Sequence, residues 1–385
     1  MDGLRLRILQ VRGIPIYLDL SWLLVFALLT TMLVGDFSYA VAHLAPGVPP
    51  WHIWVMALVT ALGFFTCIVL HELGHAITGQ AFGMRIRGIT LFLFGGVAEL
   101  EREPPSARSE FWMAIAGPLV SAVLVLVFWA GRSVGVENAW PVQVLLVLEF
   151  LRYVNLVVLI FNMVPAFPLD GGRVFRSALW AWTGDLRRST RWASLAGQGF
   201  GWFLAILGVL QLFAGLTWNG LWLILIGWFL SNAARRAYEH VLVREVLGGE
   251  PVSKFMNREP ITVPPDLDLR HLVEDYVYRH HRKAFPVTAD GHVQGIVTAQ
   301  ALQNVPRDTW DRHTVAEVMQ RNVQSISVTP DTDAITALTQ MQRSGSTRLL
   351  VMDGEQLAGI VSLRDLIDYL DTRLSLEGGS ARADW

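Results

Sequence analysis

His71-Glu72-Leu73-Gly74-His75 closes an unbroken apolar run, Trp54-Val-Met-Ala-Leu-Val-Thr-Ala-Leu-Gly-Phe-Phe-Thr-Cys-Ile-Val-Leu70. On a helix each residue turns about 100°, so two histidines four apart point the same way. They can face one metal ion, with Glu72 beside them to act on a water. In a polar helix an H-E-x-x-H pattern can arise by chance. Here a charged group deep in a bilayer costs roughly 2.5–3.5 kcal/mol on insertion scales, so the cluster needs a compensating partner. A metal supplies one.

The rest of the chain supports a membrane setting. Of 385 residues, 52% are hydrophobic and 17% charged. Mean hydropathy is +0.40. Both values fit a polytopic membrane protein. The net charge of -2 leaves no basic footprint for nucleic acid. Many tryptophans, Trp22, Trp51, Trp54, Trp112, Trp140, Trp218, Trp222 and Trp228 among them, lie near the ends of apolar runs, as in an aromatic belt. Cys67 is the single cysteine, so no intrachain disulfide can form. The apolar run from Ile14 lacks a small-residue cleavage site and reads as a span, not a signal peptide.

Six apolar stretches can be drawn, at about 14–35, 53–77, 110–131, 142–164, 194–215 and 219–233. The last is short for a span of about 20 residues. Between them, basic residues alternate by side. Residues 36–52 have none, 83–109 carry Arg85, Arg87, Arg102 and Arg108, the next loop has only Arg132, and 172–193 carry Arg173, Arg176, Arg187, Arg188 and Arg191. Arg235-Arg236 follows the last stretch. The positive-inside rule then puts both termini in the cytoplasm and the histidines toward the cytoplasmic half.

Met84-Arg-Ile-Arg-Gly-Ile-Thr-Leu-Phe-Leu-Phe-Gly-Gly-Val-Ala-Glu-Leu100 is too short to span and rich in β-formers around a Gly-Gly break. It reads as a β-hairpin or re-entrant sheet at the membrane edge. An open edge there must line a cavity. It could add a substrate strand, or it could be a plain connection.

Beyond Tyr238 charge rises and a repeat appears with a period of about 64 residues. Gly295-Ile-Val-Thr298 answers Gly359-Ile-Val-Ser362, and Asp290-Gly291 answers Asp353-Gly354. Each copy reads as strand, helix, two strands, helix. The expected organisation is a membrane domain over 1–240, a soluble pair over 245–373 (copies at about 252–308 and 314–373), and a flexible tail over 374–385.

A catalytic zinc site wants three protein ligands and an open position. Asp170 is the outstanding candidate for the third. It follows a helix-breaking stretch, Asn162-Met-Val-Pro-Ala-Phe-Pro-Leu-Asp-Gly-Gly-Arg173, and broken helices at membrane depth mark sites. Asp170 could equally cap the helix that follows.

These residues resemble the site-2 protease family of intramembrane zinc metalloproteases, peptidase family M50. The resemblance rests on His71-Glu-Leu-Gly-His75, on Asn162-x-x-Pro-x-x-Pro-Leu-Asp170-Gly far downstream, on Ala116-Gly-Pro118 and on Gly95-Gly96. The Gly-Ile-Val-Ser/Thr repeat resembles a pair of cystathionine-β-synthase (CBS) domains. The resemblance covers nearly the whole chain and is similar to the branch related to sporulation factor-processing proteases. It implies one Zn2+ held by His71, His75 and Asp170, Glu72 as general base, and Asn162 near the reacting centre. Asn162 could instead make a packing hydrogen bond between helices. In the CBS pair it implies an adenine nucleotide (ATP, ADP or AMP) at Ser362 and Asp365 of Gly359-Ile-Val-Ser362-Leu-Arg-Asp365. The first copy, Gly295-Ile-Val-Thr298-Ala-Gln-Ala301, has no acid there. Without a ligand the pair could serve dimerisation alone.

Three further polar features need a role. Cys67 lies four residues before His71 on the same helix face and could approach the metal or simply pack. Glu149 and Arg152, three apart, can pair with each other or mark a water path. Asn155 can bond between helices.

The expected fold is a polytopic α-helical membrane protein of about six spans with a membrane-edge hairpin, followed by a cytoplasmic α/β CBS pair. The expected function is zinc-dependent cleavage of a membrane-anchored protein, such as a tethered transcription regulator or an anti-sigma factor, in contact with membrane lipid and as a homodimer through the CBS domains. The alternative is a CBS-gated ion channel or transporter, since broken helices also suit ion sites.

Overall fold

The computed structural model describes residues 5–92, 95–100 and 103–376. It divides into two compact units, Met1–Glu239 and His240–Trp385.

The first unit opens with strands β1 (Arg5–Val11) and β2 (Ile14–Asp19), then helices α1 (Ser21–Leu44) and α2 (Pro50–Ala81). Strands β3 (Ile86–Phe92) and β4 (Gly95–Leu100) follow, then helices α3 (Ala107–Glu137), α4 (Val142–Asn162), α5 (Asp170–Thr183), α6 (Leu186–Phe213) and α7 (Thr217–Leu247), the last of which continues past the unit's end at Glu239. The four strands make one sheet in the order β1-β2-β3-β4. β1–β2 and β3–β4 pair antiparallel, and β2 runs parallel to β3 with Ile16 opposite Ile89. The parallel pairing follows from α1 and α2 intervening between the two strands, which is the long crossover a parallel pair needs.

The stretch expected to open the first span is therefore corrected. Ile14–Asp19 is a strand, and the helix starts at Ser21, after Asp19 caps the turn by accepting from Ser21 N at 2.9 Å. Ile14-Pro-Ile-Tyr-Leu-Asp alternates with period two, and Ile14 and Ile16 are fully buried. Among the described residues five helices, α1, α2, α3, α4 and α6, are long and apolar enough to cross a membrane. The sixth expected stretch, 219–233, lies inside α7, which is not among the five. Its apolar part is short and runs into Arg235-Arg236. Between α4 and α6 stands α5, in what the sequence offered as a connection. Trp51, Trp54, Trp218, Trp222 and Trp228 are exposed, whereas Trp22 packs on Phe26 and Phe65.

Two packing features position the site. Ile14, Ile16 and Ile89 bury one sheet face against Leu73 and Ala76 of α2, so the sheet lies on the segment that carries the histidines. α2 and α3 cross closely at Gly74, where an added Cβ would meet the Ala116 carbonyl oxygen at 3.0 Å.

In the second unit, β7 (Ser327–Val328), α10 (Ala334–Ser344), β8 (Arg348–Asp353), β9 (Gln356–Ser362) and α11 (Leu363–Leu376) follow the expected order. The first copy departs from it. Its first strand is reduced to a bridge between Val263 and Val287. The helix α8 (Leu269–His271) continues as wider turns over Leu272–Tyr278, before the β5 (Ala284–Ala289) and β6 (His292–Thr298) hairpin. Its last helix shrinks to one turn, Ala301–Asn304, because Pro306 forbids continuation and Ala301 leaves no acid to cap it. A short α9 (Val315–Val318) then leads to the second copy. Residues 374–376, expected in a loose tail, instead finish α11, with Leu374 buried. The remainder of that tail, 377–385, lies outside the described residues.

Candidate metal centre

His71 and His75 come from α2, one turn apart, and Asp170 is the first residue of α5. Leu169, not Asp170, is the N-cap of α5, so the aspartate is not spent on capping. Its Oδ2 lies 3.1 Å from His71 Nε2 and 3.2 Å from His75 Nε2. The two Nε2 atoms are 3.2 Å apart. Among the described residues these three form the group able to hold a metal.

The outer imidazole nitrogens are also engaged. His75 Nδ1 lies 2.7 Å from the Met113 carbonyl oxygen and His71 Nδ1 lies 2.9 Å from Ser121 Oγ, both on α3. A carbonyl only accepts, so His75 carries a proton on Nδ1, and in the neutral ring the lone pair stands at Nε2. That lone pair points at a carboxylate oxygen and at the second imidazole. With both rings neutral, a metal cation between these acceptors satisfies all three at once. Ligands about 2.0–2.1 Å from a tetrahedral zinc lie about 3.3 Å from one another, close to the observed triangle. The donor set therefore fits zinc, with hydrogen bonds behind both imidazoles as zinc-bound histidines usually have.

Backbone closes one side of this triangle. A Cβ on Gly117 would meet His75 Nε2 at 2.2 Å and His71 Nε2 at 2.7 Å. Glu72 faces β4 instead, where a Cβ on Gly96 would stand 2.6 Å from Glu72 Cγ. Gly96, Met113, Gly117 and Ser121 were not named as site residues from the sequence. Ala116-Gly-Pro118 and Gly95-Gly96 were visible there as motifs, but the contacts that explain them are not local in sequence.

The other polar candidates fall elsewhere. Asn162 ends α4, half-buried, with no hydrogen bond to the three among the described residues. Cys67 is buried and lies outside the metal-capable group. Asn155 donates to the Leu151 carbonyl of its own helix at 2.8 Å. Arg152 pairs with Glu149, and Arg132 of α3 joins them at 3.0 Å from Glu149 Oε2.

In the second unit, Ser362 and Asp365 form a reciprocal cap on α11. Ser362 N and Oγ donate to Asp365 Oδ2 at 2.8 and 2.6 Å, and Asp365 N donates to Ser362 Oγ at 3.3 Å. Both also line a pocket with Arg282, Lys283, Arg348 and Arg364. Burial pulls the Arg348 guanidinium below the usual arginine range, with Asp365 opposing and Arg282 reinforcing the shift.

Known proteins bear on both units. The family model described as Peptidase family M50 matches residues 59–137 and 132–207, and CBS domain models match 252–306 and 315–372. A putative zinc metalloprotease of Synechocystis is 33% identical over 95% of this chain and 96% of its own length. The putative zinc metalloprotease Rip3 of Mycobacterium tuberculosis is 30% identical over 87% of each chain. A solved site-2 protease from Methanocaldococcus jannaschii is 26% identical, with 61% of this chain and 95% of that one covered and a TM-score of 0.41. None of the named relatives over most of the chain is a channel or transporter. With this identity and coverage, the chain belongs to the zinc metalloproteases of peptidase family M50 and carries a C-terminal CBS pair.

Proposed function

We propose that the chain cleaves a peptide bond in a transmembrane or membrane-edge segment of another protein. One observation carries this reading: three metal-ligating atoms within 3.1–3.2 Å of one another, one turn of an apolar helix brought against the start of α5. His71, His75 and Asp170 hold one zinc ion, which supplies Lewis-acid polarisation when bound. Glu72 accepts the proton of the attacking water and returns it to the leaving amine nitrogen. Asn162 offers its amide to the substrate backbone or to the developing oxyanion.

The substrate arrives as an added strand. β4 ends the sheet order, and its Gly96 lies against Glu72, so a strand paired there runs its scissile carbonyl past the base. The charge alternation supports cytoplasmic termini and release of a cytoplasmic fragment from a substrate such as a tethered transcription regulator or an anti-sigma factor. The pocket in the CBS pair takes an adenine nucleotide. Its arginines and lysine meet the phosphates, and Asp365 meets the ribose hydroxyls. A bound nucleotide shifts activity by binding active and inactive states unequally, and the CBS pair joins two copies.

Purified full-length protein should cleave a single-span substrate, lose that activity to a chelator and regain it with Zn2+. Glu72→Gln should lower cleavage by about 10²–10⁴-fold and leave one zinc per chain. Full cleavage by Glu72→Gln would refute the mechanism.

A further inference from the structure

A buried ion pair lies beside the site and takes no part in the chemistry above. Arg176 of α5 and Glu110 of α3 are 5% and 0% exposed. Arg176 Nε donates to Glu110 Oε1 at 2.7 Å, and Nη2 donates to the same oxygen. Nη2 also reaches Glu103 Oε2 at 3.3 Å, and Nη1 lies 3.5 Å from Thr190 Oγ1 of α6. The guanidinium carbon stands 5.1 Å from the centre of the Phe167 ring. Glu110 Oε2 has no hydrogen-bond partner among the described residues.

Such a pair is not explained by stability. Desolvating two charges costs several kcal/mol per ion, and apolar residues of similar size often serve as well or better. What an ion pair adds is direction, because a forked donor fixes the rotation and register of its helix.

Its position gives that direction a use. Arg176 is six residues after Asp170 on α5, and Phe167 is three residues before it. The guanidinium thus grips Asp170's carrier on both sides. Glu110 is three residues, about one turn, before Met113, whose carbonyl accepts the His75 Nδ1 proton. One arginine therefore joins the segment that presents Asp170 to the helix that orients His75.

We propose that Arg176, held by Glu110, is a positioning residue that sets Asp170 against the two histidines. This rests on the zinc reading of His71, His75 and Asp170. Neither Arg176 nor Glu110 belongs to the metal-capable group. They act through the placement of α5 on α3.

The test loads full-length metal-free protein with Co2+, whose visible absorption reports coordination geometry, and measures Zn2+ affinity by chelator competition. Arg176→Lys keeps the charge but loses the fork, and thermal unfolding of the metal-free protein reports whether the fold persists. Asp170→Ala supplies the reference spectrum of a site reduced to two histidines. The expected result for Arg176→Lys is zinc binding weakened by about 10-fold or more, the scale of losses around metal ligands, and a Co2+ spectrum moved toward that reference. Cleavage should lose kcat with KM little changed. A Glu110→Leu/Arg176→Met pair should unfold no earlier than Arg176→Lys yet remain weak in zinc. Wild-type affinity and spectrum in Arg176→Lys, or in the apolar pair, overturn the proposal. A wild-type protein that gives no Co2+ spectrum, or one that Asp170→Ala does not alter, overturns the zinc reading itself.

Discussion

A methyl group on Gly117 would stand 2.2 Å from His75 Nε2, far inside contact distance. The backbone of α3 is therefore a wall of the metal centre, and it also supplies the Met113 carbonyl and Ser121 hydroxyl behind the imidazoles. The site is built by two helices crossing closely, with α5 completing it.

Gly117→Ala should abolish zinc binding. The added Cβ meets both Nε2 atoms, and neither ring can retreat without breaking its hydrogen bond to α3. Zinc content of the purified variant should fall toward zero while the protein still inserts and stays helical. A full complement of zinc would show that α3 is not this close to the ligands.

Gly96→Ala should separate the base from the metal. Its Cβ would lie 2.6 Å from Glu72 Cγ, an inner atom that cannot move without turning the whole side chain. The ligands are not touched. Cleavage should drop by about 10²-fold or more, within the usual worth of a general base, with zinc retained. Loss of zinc in this variant would mean that β4 supports the ligands rather than Glu72.

Ser121→Ala should loosen the metal without removing it. Ser121 Oγ lies 2.9 Å from His71 Nδ1 in a buried setting. Removing such a partner typically weakens metal affinity by about 10–100-fold. Chelator competition measures this directly. Ser121→Thr, which keeps the hydroxyl, should recover most of the affinity if α3 tolerates the extra methyl.

The sequence displays much of this site because its strongest parts are local. His71 and His75 share a face through helix periodicity alone, and the Pro165 to Gly172 stretch announces a break. The sequence left Asp170 open between ligand and cap. That choice depends on where α5 lands against α2, which no local pattern encodes. The same reason hid Gly117, Gly96 and the Glu110–Arg176 pair, whose partners lie tens of residues away. At the start of the chain, Ile14–Asp19 is continuous in sequence with the apolar run of α1. Its period-two alternation is six residues long, and only pairing with β1 and β3 distinguishes it from the beginning of a helix.

The second unit makes a final prediction about charge. Asp365 serves α11 as a cap whether or not a ligand binds, so Asp365→Ala confounds two losses. It should cost about 0.3–1.5 kcal/mol of stability from the capping box alone, in addition to any loss of nucleotide. Arg348→Met separates them, because Arg348 lines the pocket but does not cap the helix. Its half-buried guanidinium has lost part of its hydration, so an arriving phosphate replaces water at little further cost. Calorimetry on the full-length protein should therefore show Arg348→Met weakening ATP more than AMP, with unfolding little changed. Equal weakening of the two nucleotides would place Arg348 against the nucleoside, and no binding of either by the wild type would leave the pocket without a nucleotide role.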